Sequence, residues 1–148
     1  LPDFIVALDS VAAPVRTVIG KNLDNDFARV RIEQLGEGFR RTWEGRQDEF
    51  VRSFQVDDAT FEAFLAFAET RGVDVVAARP EAGDEDVLVR SEVAASRREI
   101  ATRIKAFMAR RLFEAEAFYP VVGQIDPVIT AAMQQWRTAS ASLAQANR

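Results

Sequence analysis

Apolar positions recur along this chain mostly at helical spacing. Pro14 suits a first helical turn, and Val15, Val18 and Ile19 give it a short apolar face before Gly20. From Leu23 the stripe continues through Phe27 and Val30, with Asn25 or Asp26 as candidate N-caps. Leu35, Phe39 and Trp43 extend it at intervals of four, while Gly36, Gly38 and Gly45 weaken it and predict a division into two pieces. The segment FVRSFQV, residues 50–56, alternates imperfectly and reads as an extended connection. Asp57 and Asp58 then cap a helix over Asp58–Arg71 that presents Phe61, Phe64, Leu65, Phe67 and Ala68 and stops at Gly72.

Residues 73–86, VDVVAARPEAGDED, join a short β-branched run to proline, glycine and acids, which predicts an exposed connection. From Glu85 to Phe113, Val93, Ile100, Ile104, Phe107, Met108 and Leu112 fall on one face of a long amphipathic helix. Glu99 and Arg103 are an i,i+4 pair that adds roughly 0.2–0.5 kcal/mol if exposed. Pro120 is expected to push Tyr119 out of helical geometry and break the chain there. Asp126 and Pro127 start a further helix whose buried face is Val128, Ile129, Ala132, Met133 and Trp136, and residues 138–148 form a fraying tail. The expected fold is mainly α, an irregular bundle of about five helices with short extended links, each amphipathic face covered by another element.

Composition narrows this picture. A chain of 148 residues suffices for one domain with a real core. No apolar run approaches the roughly 18–20 residues of a membrane span. The apolar FIVAL within residues 1–10 reads as the end of a preceding unit, and Leu1 in place of Met marks the chain as a piece of a longer one whose targeting lies upstream. Net charge is -4, with pI near 5.0, so no nucleic-acid partner is expected, although Arg41, Arg46, Arg110 and Arg111 can form local patches.

Chemistry is sparse. The chain has no cysteine and no histidine, which excludes disulfides, thiol nucleophiles, histidine bases and sulfur- or imidazole-ligated zinc. The segment DNDFARVRIEQLG lacks the alternating oxygen ligands of a calcium loop. A serine nucleophile would need Lys21 or Lys105 as its base; Lys105 is expected on a different face from Ile104 and Phe107, and Ser91 and Ser96 lie in ordinary helical sequence. Asp24, Asp26, Asp57, Asp58, Glu81, Asp84, Glu85, Asp86, Glu114 and Glu116 are assigned to caps, loops and surface, and the aromatic residues to the core. No catalytic, cofactor-binding or metal-ligating residue is assigned, and no cofactor is expected.

The order IKAFMARRLFEAEAFYPVVGQIDPVITAAMQQW resembles the C-terminal extension of bacterial carboxyl-terminal processing proteases, the tail-specific proteases. The matching residues are Met108, Ala109, Arg110, Leu112, Phe113, Phe118, Tyr119, Ile125, Asp126, Pro127, Ala132 and Trp136. A fainter likeness covers APVRTVIGKNLDNDFARVRI and FQVDDATFEAFLAFAETRGV, and Leu1, Pro2 and Asp3 resemble the end of the turn that closes the protease core. The resemblance implies a periplasmic or envelope serine protease with a serine–lysine dyad and often a PDZ domain. The motifs of that machinery are missing from this sequence, so no catalytic residue carries over. What it implies for this chain is a non-catalytic domain for docking a protein or peptide, gating, or self-association as a homo-oligomer. The alternative reading is a ligand-binding effector domain of a transcription regulator, which requires a deep apolar pocket between helices.

Overall fold

A computed structural model describes residues 11–81 and 86–125. Among them seven α-helices and one short parallel strand pair build a mainly α bundle around a single contiguous core. Helix α1, Ala13–Gly20, carries Pro14 in its first turn, where an amide hydrogen is not needed, and buries Val15 and Val18. Asn22 follows in the left-handed conformation, φ 54°, which asparagine tolerates better than most residues. That reversal starts α2, Leu23–Trp43, earlier than the sequence suggests. Asn25 and Asp26 therefore lie inside its first turns and are not caps, and Asp24 and Asp26 face the positive end of the helix dipole.

The expected division of this helix occurs at Gly36, whose φ of 75° and ψ of -166° only glycine adopts readily. Beyond it Phe39 and Trp43 turn onto the aromatic rings of the next segment, and Leu35 is left exposed. That segment is not extended. Gln47–Ser53 forms α3, because Phe50 and Phe54 stand four residues apart on one helical face and stack at 4.5 Å between centroids. Only 54–57 is non-helical, leading to Asp57, whose carboxylate accepts the Thr60 amide at 2.7 Å and caps α4, Asp58–Thr70. At the other end Val73 donates to Ala68 O and Gly72 to Glu69 O, with Gly72 at φ 82°. This is the Schellman pattern, and buried Val73 closes it with the usual apolar contact.

The 73–86 segment opens on structure that its composition hides. Asp74–Val76 is strand β1, paired in parallel with Val87–Val89, strand β2, through Asp74↔Val87, Val75↔Leu88 and Val76↔Val89. Three residues are too few to establish a period, yet all three of β2 are buried, as strands covered on both faces are. The predicted helix over 85–113 therefore begins as a strand. It also breaks once: α5, Arg90–Ala95, ends at buried Ser96, and α6, Arg97–Leu112, continues after it.

Proline 120 does not stop the chain. The break comes earlier, at Phe113 and Glu114, and a 3-10 turn over Ala115–Ala117 leads into α7, Phe118–Val122. Pro120 sits in the first turn of that helix, where its missing N–H has no intrahelical partner to lose, so Tyr119 stays helical. The Asp126–Pro127 helix start, its face to Trp136, the tail and residues 1–10 lie outside the described residues. No described helix is long and apolar enough to cross a membrane. The most extensive helix contact joins α2 to α6, and α7 covers α6 from another side, so α6 is the central element of the bundle.

Candidate functional site

Two ionisable groups lie in that interior, and both stand in register with the apolar stripe of their helix. Asp24 precedes Ala28 and Ile32 at intervals of four, and all three are buried. Its carboxylate accepts Arg103 Nε at 2.8 Å and its own neighbour's amide, Asn25 N, at 2.9 Å. Arg103 thus turns across the α2–α6 contact to Asp24, away from the Glu99 pairing suggested by spacing. Seventy-nine positions separate the two partners, which is why spacing along one helix does not find the pair.

Lys105 is the second group, and its position corrects the sequence expectation. It does not lie on an open face but is 6% exposed, because α6 is covered on more than one side. Its Nζ donates to Val51 O at 2.6 Å, and Gln124 Nε2 donates to the same carbonyl at 2.9 Å. Val51 lies in the last turn of α3, where carbonyls lack intrahelical partners and the dipole favours a cation. Lys105 therefore serves as a C-terminal cap supplied from another helix.

Burial pushes the Lys105 ammonium below its ordinary value. The unfolded chain then keeps this proton to higher pH than the folded one, so stability rises as pH climbs from the lowered folded value to the ordinary value of about 10.4. Thermal unfolding of the wild type and Lys105→Met compared from neutral pH to that point is expected to show the wild type gaining relative stability. A difference independent of pH would remove the linkage.

The remaining candidates have structural partners. Lys21 pairs with Asp86 at 3.1 Å, Asp26 with Arg71 at 3.1 Å, and Asp58 with Arg97. Hydrogen bonds from the Thr60 side chain and amide hold the Asp57 carboxyl below its usual range. Ser91 is exposed on α5 and Ser96 is buried at the helix break. Asp84 and Glu85 lie outside the described residues. No group of three or more acidic side chains able to hold a metal ion occurs among those described.

An open hollow of about 420 Å³ is lined by Gly45, Arg46, Gln47, Asp48, Glu49 and Arg52. Arg46 meets both Glu49 oxygens there, at 3.0 and 2.7 Å, donates to Thr42 O at 2.8 Å and lies 5.0 Å over the Trp43 ring. The Arg46 hydrogen bond draws the Glu49 carboxyl below its usual value. These walls are charged and open, unlike the enclosed apolar pocket that an effector domain requires. The aromatic residues that could have lined such a pocket pack on the core instead, Phe50 and Phe64 completely buried.

Fold and interior together define a small α-helical bundle clamped by an ion pair across its central helix contact. Within that class, the profile of a family of unknown function, DUF8443, matches residues 15–114, and the chain belongs to that family. No curated protein and no solved structure matches it.

Proposed function

We propose that the chain is a non-catalytic helical domain serving a carboxyl-terminal processing protease, in docking a protein or peptide partner, gating the catalytic core or self-association. The observation that carries the non-catalytic half is the fate of the two lysines, the bases a serine nucleophile would need in a chain without histidine. Lys105 is held against a backbone carbonyl inside the bundle, and Lys21 is paired with Asp86. The link to the protease rests on the order of residues from Met108 to Trp136. Of these, Phe113 closes α6 and Phe118 and Tyr119 open α7. The family match ends at residue 114, so the aromatic pair and the Asp-Pro step are support independent of it.

The coding sequence upstream of Leu1 tests the assignment. A secretory signal, a PDZ-like region and a Gly-Ser segment followed by a lysine are expected, and would also place the protein in the periplasm or envelope. A helix-turn-helix in that position would overturn the proposal in favour of a regulator's effector domain. A peptidase assay of the chain itself tests the other half: turnover abolished by Lys21→Met or Lys105→Met would sink the non-catalytic reading.

A further inference from the structure

Beside the α2–α6 contact the bundle gathers guanidinium groups that its own carboxylates do not balance. Arg111, near the end of α6, donates from Nη2 to Asn25 Oδ1 at 3.1 Å, but its Nε is buried with no hydrogen-bond acceptor. Arg40 approaches from the far end of α2 and donates to Arg111 O at 3.4 Å. Burial, then the like charges of Arg29 and Arg110, lower the Arg111 guanidinium against the opposing pull of Asp26 and Glu33. Those two acids are already engaged: Asp26 with Arg71 at 3.1 Å, and Glu33 with Arg29 at a long 3.8 Å. Four arginines thus converge on one edge of the central contact in a chain whose net charge is -4.

We infer that Arg29, Arg40, Arg110 and Arg111 form a docking site for an acidic segment of a partner protein, a carboxylate of which takes up the unsatisfied edge of Arg111. This rests on the docking reading above and names the chemistry of the partner. A guanidinium fork matches a carboxylate through two parallel N–H donors, one from Nε, and the Nε–Nη edge is the part of Arg111 left without an acceptor. Overall charge decides between polyanions. A nucleic-acid backbone extending beyond four arginines would run onto a surface that is acidic in sum, whereas a short carboxylate cluster is held locally.

Titrating the chain with a blocked hexaglutamate peptide at low salt, followed by calorimetry, tests the site. Binding is expected, weakening as salt rises, and Arg111→Met and Arg110→Met should each lower affinity about tenfold, the size of a lost charge-assisted contact. Arg111→Lys should fail to restore it, since an ammonium cannot reproduce the fork. Arg98→Met, an exposed arginine elsewhere on α6, should leave affinity unchanged. If Arg111→Met fails to fold, the exposed Arg110 carries the test alone. No binding of the peptide, equal loss in Arg98→Met, or tighter binding of a single-stranded oligonucleotide than of the peptide would each overturn the inference. None of these outcomes alters what the upstream coding sequence says about the protease, so the two readings fail separately.

Discussion

Replacing Arg103 with methionine is expected to lower the stability of the bundle by about 3–5 kcal/mol, the usual cost of leaving one member of a buried ion pair without the other. The Asp24 side chain is 2% exposed and the Arg103 side chain 15%. Without Arg103 the carboxylate keeps only the Asn25 amide, too little to offset removal from water. The reverse substitution, Asp24→Ala, should cost less, because the longer arginine can turn its charged end toward solvent. Converting both together, Asp24→Asn with Arg103→Met, should recover part of the loss, since the damage comes from the orphaned charge more than from the missing attraction. Urea unfolding midpoints of the four proteins measure this directly. A single Arg103→Met variant within 1 kcal/mol of the wild type would show that water reaches Asp24 and that the pair behaves as a surface bridge.

Phe50→Ala is expected to cost a similar amount, about 3–5 kcal/mol, by leaving a cavity that its surroundings cannot collapse to fill. Phe50 is completely buried and touches three separate segments: Trp43 beyond the Gly36 kink at 5.1 Å, Phe54 at 4.5 Å and Phe113 at the end of α6 at 5.7 Å. Each ring is held partly by the others, so none can move in without giving up its own packing. Phe54→Ala, at a half-buried position, should cost clearly less. Chemical denaturation gives the free energies, and equal losses for the two variants would mean that the stacked pair, rather than burial of Phe50, sets the energy.

The elements legible from sequence are those whose cause is local. Asp57 and Gly72 bound α4 because a cap and a left-handed stop act within a few residues of themselves, and Gly36 divides α2 because its backbone preference needs no partner. Where a short run must choose between periods, local reasoning fails. FVRSFQV reads as alternating yet is helical, since Phe50 and Phe54 are paired by a stack that matters more than the intervening pattern. Likewise VDVV and VLV become strands only because they meet each other across the 77–86 connection. Misplacing the break at Pro120 has a different source: proline stops a helix in its interior but is tolerated in a first turn, and the sequence does not say where that turn lies.

For the site the decisive facts are long-range. Asp24 and Lys105 do carry a local signal, a charge in register with buried apolar neighbours, which marks each as an interior group without naming its partner. Arg103 and the Val51 carbonyl supply those partners from elsewhere in the chain. The Arg29, Arg40, Arg110 and Arg111 edge is half legible, since Arg110 and Arg111 are adjacent in sequence and the other two join them only through the packing of α2 on α6.

That packing also sets the order of events during synthesis. The apolar stripe of α2 finds its cover on α6, and its buried carboxylate finds its counter-ion at Arg103, so the first eighty residues leave the ribosome with an interior they cannot close. A nascent chain halted in the 77–86 connection therefore exposes Phe27, Ala28 and Ile32 until α6 emerges, and severing the domain there should yield two sticky halves rather than two small proteins.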